Sequence, residues 1–283
     1  MSLTWTRRIS RILQYLAMVV VIVIFVAPLL WMLSTALKPE GQVFAYPPRW
    51  IPQTFTSENF RSVLNRFAFA RWWLNSIVAA LASNIVVLTF DSLAAYGLAR
   101  MRFVGRTVIY AIILSMLMVP IQVTVVPLYL LFVQVGLIDT LPAIFLPTTG
   151  NVTGIFILHQ FFRTIPRDLE DAARIDGASP LQFWWRILIP LSRPALASVS
   201  IITFISSWNN FLWPLVASNS DRSRTLPVGI AQFFGAGTGV SGSAPQFGIS
   251  MAAALMATLP ALAFFLLLQP LFVRAITSSG LKG

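Results

Sequence analysis

Residue types that carry chemistry are scarce in this chain of 283 residues. It contains no cysteine, which excludes disulfides, thiolate metal sites and cysteine nucleophiles. His159 is the single histidine, so paired-histidine metal motifs are excluded too. A catalytic triad would have to use His159, yet it lies in the apolar run Ile155-Phe156-Ile157-Leu158-His159-Gln160 and reads as a structural or interfacial group. A phosphate-binding loop needs a Gly-Lys pair, and the two lysines, Lys38 and Lys282, follow Leu37 and Leu281. The chain is therefore expected to be no enzyme, to hold no metal or cofactor, and to draw any energy from a partner.

Asp91 is the one carboxylate inside a long apolar stretch, in Leu88-Thr89-Phe90-Asp91-Ser92. Ionisable groups at such places are costly and often functional. It reads either as a polar link to a neighbouring helix or subunit, or as a proton-coupled site that would make the chain a secondary carrier.

The elements that position these residues follow from composition. The chain is 57% hydrophobic and only 10% charged, with a mean hydropathy of +0.78, against roughly 25% charged in soluble domains. So little charge cannot coat a soluble surface, and an integral membrane protein is expected. The net charge of +11 would suit nucleic acid only with a basic soluble face, so no nucleic-acid partner is expected.

Six stretches are long enough to cross a bilayer, which takes roughly 20 apolar residues: about 12–34, 73–98, 107–132, 143–162, 195–217 and 249–273. Spanning segments of this kind must satisfy their own backbone, so an all-α bundle of six transmembrane helices in a single domain, 1–283, is expected. The first stretch follows Arg7, Arg8 and Arg11 but is too long for a signal-peptide core and lacks an A-x-A site; it reads as a retained helix. With the N-terminus inside, the inner segments hold 13 of the 20 basic residues and the outer loops hold 7. That bias places both termini in the cytoplasm.

Two outer loops, 38–72 (Pro- and aromatic-rich) and 218–248 (Gly- and Ser-rich), are long enough to dock an external partner. Trp31, Trp72, Trp73, Trp184 and Trp185 fall near span ends, as an interfacial belt would place them. Pro120 and Pro127 suggest a break in the third span. Trp208, Asn209 and Asn210 interrupt the fifth span and, with Asn75, Ser76, Gln122 and Thr124, are pathway candidates.

The inner loop 163–194 is punctuated as helix, turn, helix. Asp168, Glu170 and Asp171 follow Pro166, where carboxylates meet the positive end of a helix dipole. Gly177 stands where a left-handed cap is expected. Ser179, Pro180 and Gln182 spell an N-cap, a first helical position and a capping box. Pro190 and Pro194 end this second helix and start the fifth span. The result would be a rigid lever under the membrane.

These residues resemble the EAA loop of ABC importer permeases, E-A-A-x-x-D-G-A followed by P-x-x-x-P: Asp171-Ala172-Ala173, Asp176-Gly177-Ala178, Pro190 and Pro194 fall on it. The runs Ala94-Ala95-Tyr96-Gly97-Leu98-Ala99-Arg100, Trp208-Asn209-Asn210-Phe211-Leu212-Trp213-Pro214-Leu215 and Thr225-Leu226-Pro227-Val228-Gly229, with the tail Gly280-Leu281-Lys282-Gly283, are similar to the carbohydrate branch (maltose and glycerol-phosphate type) over nearly the whole chain. The resemblance implies a type I ABC importer permease fold in a bacterial plasma membrane and half of a sugar pathway. It also implies a second homologous permease, two cytosolic ATPases that bind ATP and Mg, and an extracytoplasmic sugar-binding protein. Glu170, Asp171, Ala172, Ala173, Asp176, Gly177, Ala178 and Pro190 would couple to the ATPases, and Gly280, Lys282 and Gly283 would contact them. The motif's first glutamate is Asp171 here, with Glu170 before it, so either could be the docking carboxylate. A permease of the same fold for a non-sugar solute is the alternative.

Overall fold

The computed structural model describes residues 2–232 and 246–279. These are almost wholly helical, with no strand among the described residues. The tail candidates Gly280, Lys282 and Gly283, and the glycine-rich centre of the loop 218–248, lie outside them.

Three helices are each long and apolar enough to cross a bilayer: α1 (Ser2–Ala36, apolar from Ser10), α4 (Phe69–Arg100) and α15 (Phe247–Ser279). Of the other three expected stretches, two are bent pairs and the third is broken in two. α5 (Arg106–Ser115) ends in the tight turn Met116–Met118 and meets α6 (Ile121–Gln134) at 102°. Pro120 supplies no N–H and forces its predecessor out of helical geometry, so the expected break is here. Pro127 is accommodated inside α6.

α7 (Leu141–Phe145) continues as the tight turn Leu146–Thr148 and meets α8 (Val152–Thr164) at 45°. Gly150 (φ +75°) reverses the chain there, and the Asn151 side chain caps α8 by accepting from the amides of Thr153 and Gly154. This bend was not anticipated; Gly-Asn before an apolar run is its signature.

The expected stretch 195–217, interrupted at Trp208, Asn209 and Asn210, is two helices, α12 (Arg193–Trp208) and α13 (Leu212–Ala217). Pro214 would clash with the carbonyl of Asn210 in an unbroken helix, so the chain opens at Asn209–Phe211. α12 also meets the preceding helical segment Pro180–Leu191 at 82°.

Contacts divide the chain into two compact units, Met1–Phe69 with Ile230–Thr258, and Ala70–Gly229 with Leu259–Gly283. In the first, the Pro-rich segment after α1 is folded. α2 (Glu40–Val43) and α3 (Glu58–Arg66) flank it. Asn59 Nδ2 donates to the carbonyls of Ala36 and Lys38, each at 2.8 Å. Lys38 is buried, donates to Arg49 O at 2.6 Å and lies 4.4 Å over the Trp31 ring; burial pushes its ammonium below the usual lysine range. Glu40 accepts from the first two amides of α15, Phe247 (2.8 Å) and Gly248 (3.0 Å), at the positive end of that helix. A Cβ on Gly248 would come within 2.8 Å of Asn59 Nδ2 and 2.9 Å of Glu40 Oε2, which explains the glycine.

Among the described residues, two apolar cores stand out in the second unit. One gathers Ala95, Tyr96 and Ala99 of α4, Leu158 and Phe162 of α8, Val199 of α12, and Ala173, Phe183, Trp184 and Leu188 from the loop 163–194. The other joins Ala79, Phe132, Ala143, Ile144, Trp213 and Ala217. Trp72 and Trp184 are buried here rather than standing in an interfacial belt. Trp72 donates to Asp221 at 2.9 Å and covers Gly229 so closely that a Cβ there would lie 2.1 Å from the ring.

Candidate functional site

The loop 163–194 folds as its punctuation predicts. α9 (Asp168–Ile175) ends on Asp176, and Gly177 takes φ +81°. The Gly177 amide donates to Arg174 O (3.0 Å) and the Ala178 amide to Ala173 O (2.9 Å), the two bonds of a Schellman stop. Ser179 accepts from the Gln182 amide while Gln182 Oε1 accepts from the Ser179 amide, closing the capping box on α10 (Pro180–Phe183). A wide helical turn, Trp184–Leu188, leads to α11 (Ile189–Leu191). Four residues, 176–179, between two capped helices leave the angle little freedom.

One side of this element is built into the core. Ala173, Phe183, Trp184 and Leu188 are buried, and the Phe183 ring lies 6.2 Å from Tyr96 of α4. The opposite side is open: Asp171, Ala172, Asp176, Gly177 and Pro190 are exposed, and Ala178 is half-buried. The two adjacent carboxylates therefore part company. Glu170 is buried, accepts from Arg174 at 2.7 Å and lies 4.0 Å from Arg100. Asp171 projects from the exposed side of α9.

Arg100 is the member that motif reading did not single out. It ends α4, and its guanidinium donates to Phe162 O (2.6 Å) and Ile165 O (2.5 Å). A cation there meets the negative end of α8, and its second face meets Glu170. One side chain thus joins the ends of α4 and α8 to α9. Its signal was its place, an arginine directly closing a long apolar stretch.

A cavity of about 410 Å³ is bordered by α6, the α7–α8 bend, α12 and the break before α13. Its polar lining is Thr124, Thr148, Asn151, Thr203, Ser206, Ser207 and Asn210, and Trp213 closes one side. Of the named pathway candidates, Asn210 and Thr124 border it. Trp208 is buried and stacked on Phe204, and Asn209 and Gln122 are exposed elsewhere. Asn75 is buried and donates to the carbonyls of Arg222 (3.1 Å) and Arg224 (2.9 Å), while Ser76 accepts from the Leu226 amide. Both hold the segment before α14 (Leu226–Ala231).

Asp91 is buried against the first turn of α8: a Cβ on Gly154 would lie 2.6 Å from its Oδ2. Its contact is thus to a neighbouring helix of the same chain. His159 stacks on Tyr110 of α5 with ring centroids 4.1 Å apart, an inter-helix packing contact.

Asp139 ties the segment before α7 to the segment after α13. It accepts from the Asn219 and Ser220 amides (2.9 and 3.0 Å) and from the Ser220 and Ser223 hydroxyls. Burial alone would raise its pKa, but these four donors outweigh it and hold the carboxyl down to about 2.

Comparison with known proteins places this architecture. The chain is 31% identical over 278 residues to the arabinooligosaccharides transport system permease protein AraQ of Bacillus subtilis, covering 97% of each. It is 34% identical over 279 residues to the sn-glycerol-3-phosphate transport system permease protein UgpE of Pectobacterium atrosepticum, covering 96% of this chain and 98% of that one. The fold is similar to a chain in the crystal structure of a bacterial ABC transporter that imports alginate, with a TM-score of 0.76 at 23% identity over 94% of this chain and 97% of that one. Residues 91–278, which run from Asp91 through the cavity and the capped loop into α15, match the family described as binding-protein-dependent transport system inner membrane component, and the chain belongs to that family.

Proposed function

We propose that the chain is one permease subunit of an ATP-driven sugar importer in a bacterial plasma membrane. Its six crossings are α1, α4, α15 and the pairs α5–α6, α7–α8 and α12–α13, with both termini cytoplasmic. It forms half of a translocation pathway, and a second homologous permease supplies the other half. Two cytosolic ATPases bind ATP and Mg and seat on the exposed side of α9 and α10. An extracytoplasmic binding protein delivers solute to the folded outer loop, where Phe44, Tyr46, Trp50, Ile51 and Phe55 are exposed.

The observation that carries this reading is the two-sided construction of 163–194. A lever must be stiff and anchored on one side and accessible on the other. The Schellman stop and capping box make it stiff, Ala173 and Phe183 anchor it beside α4, and Asp171 and Ala172 remain accessible. The same geometry favours Asp171 over Glu170 as the docking carboxylate, because Glu170 is occupied by Arg174 and Arg100. Named relatives carry arabinooligosaccharides and sn-glycerol 3-phosphate, which supports a polyhydroxylated solute.

The test is affinity purification from the native membrane in mild detergent, followed by mass spectrometry and an ATPase assay. A second permease and a P-loop ATPase, with activity, are expected. A lone chain without ATPase activity would overturn the reading and turn attention to Asp91 and a proton-coupled carrier.

A further inference from the structure

The cavity between α6, α8, α12 and α13 has a composition that selects among solutes. Its volume of about 410 Å³ falls in the ~300–1,000 Å³ range of small-molecule sites. Its polar groups are hydroxyls and amides, including Thr124, Thr148, Asn151, Thr203, Ser207 and Asn210, and no ionisable side chain lines it among the described residues. Thr203 borders the cavity and is only 2% exposed, and its hydroxyl has no hydrogen-bond partner among the described residues. A buried hydroxyl left unpaired is costly, a cost that a polar group reaching it from the cavity would relieve. The Ser207 and Thr148 hydroxyls are each linked to Ser83, at 3.3 and 2.9 Å, which holds two more in place.

Two helix starts border the cavity, α6 at Ile121 and α8 at Val152, and neither brings a cationic side chain to the lining among the described residues. At α8 the amides of the first turn are already used. Asn151 Oδ1 takes Thr153 and Gly154, and the carboxyl of Asp91 stands against the same turn. A phosphate or carboxylate placed here would meet the Asn151 acceptor and find no cation among the described lining residues. A neutral sugar both donates and accepts at each hydroxyl, which suits paired amides and hydroxyls, and its carbon face suits Val125, Leu128 and Trp213.

We propose that this subunit itself contacts the solute in this cavity, and that the site takes an uncharged saccharide and excludes phosphorylated or acidic ones. The inference rests on the importer reading and narrows its solute class.

The absence of cysteine makes the test direct. Ser206→Cys would place the chain's single thiol on the cavity wall, in the complete transporter reconstituted in proteoliposomes. A small methanethiosulfonate reagent then reports access, with arabinotriose and trehalose as neutral probes and sn-glycerol 3-phosphate as the anionic one. Labelling should slow about tenfold at a neutral-sugar concentration ten times half-saturation, remain unchanged with sn-glycerol 3-phosphate, and lose its protection several-fold in Thr203→Val. Ser207→Cys serves if Ser206→Cys fails to assemble. Protection by sn-glycerol 3-phosphate, or by none of the probes while the complex still imports a saccharide on ATP addition, would overturn the inference and leave the importer reading standing. Failure of ATP to drive import of any probe would overturn the importer reading and this inference with it.

Discussion

Arg100 and Glu170 face each other at 4.0 Å across the junction of α4 and α9, with side chains only 3% and 8% exposed. Arg100 simultaneously closes α8 through Phe162 O and Ile165 O. Breaking such a group by removing one member leaves a buried charge uncompensated, at a cost of ~3–5 kcal/mol. Glu170→Ala should therefore lower the melting temperature of the purified transporter and loosen α9. Arg174→Ala should do so much less, because Arg174 is 62% exposed. Thermal unfolding in detergent, followed by size exclusion, compares the two directly.

Asp171 should behave in the opposite way. Asp171→Lys sits on an exposed surface, where substitutions usually change stability by less than ~0.5 kcal/mol. The expected outcome is unchanged melting with weakened retention of the ATPases on the permease pair. Equal loss of retention in Glu170→Gln, with melting intact, would reassign the docking carboxylate.

The turn at Gly177 separates two kinds of damage. A Cβ there would meet nothing within 4 Å, so Gly177→Ala should cost only the left-handed backbone penalty, ~1–2 kcal/mol, and leave transport partly active. Gly177→Pro cannot adopt φ +81° and deletes the N–H given to Arg174 O. It should abolish ATP-driven uptake while membrane insertion, judged by carbonate extraction, persists. Normal uptake in that variant would sink the lever.

Asp139 predicts an acid limit. Its carboxyl titrates near 2 in the folded chain and near its ordinary 3.8 when unfolded. Its contribution is thus full above about pH 4 and is lost as pH falls toward 2, since the unfolded chain takes up the proton first. Asp139→Asn should lower the melting temperature at pH 7 by a few degrees and flatten its fall between pH 4 and 2. Parallel pH profiles for the two proteins would refute this.

Gly154 and Asp91 should be energetically coupled. Gly154→Ala drives a methyl to within 2.6 Å of Oδ2, an overpacking worth ~1–3 kcal/mol. Asp91→Ala should relieve it, so the double variant should be more stable than the two single changes sum to, by ~0.5–3 kcal/mol in a mutant cycle. Strict additivity would mean that the two do not meet.

What could be read from the chain alone followed from rules that are local. Ser179, Pro180, Gln182 and Gly177 act through their own backbone neighbours, so their spacing located the turn and both caps. Apolar length likewise located every long helix. The bends were harder. Pro120 announces one, whereas the 45° turn at Gly150 and the opening at Asn209 depend on a left-handed residue and on Pro214 acting backward. Side-chain partners separated by more than sixty residues, such as Arg100 with Phe162 O or Asn75 with Arg224 O, leave no periodic trace. For that reason Asn75 read as a pathway residue when its amide in fact holds a loop. Glu170 and Asp171 could not be told apart without knowing which side of α9 is buried.

The carboxylate of Glu40 holds the first two amides of α15, and Gly248 allows the contact by having no side chain. Loop and helix start are therefore one mechanical part. A displacement of this segment reaches the beginning of the last helix through the Glu40 carboxyl and through the Phe44–Phe247 ring contact at 4.9 Å. In the proposed importer, whatever seats on this loop would therefore also bear on where α15 begins, and the loop would be a handle as well as a landing site.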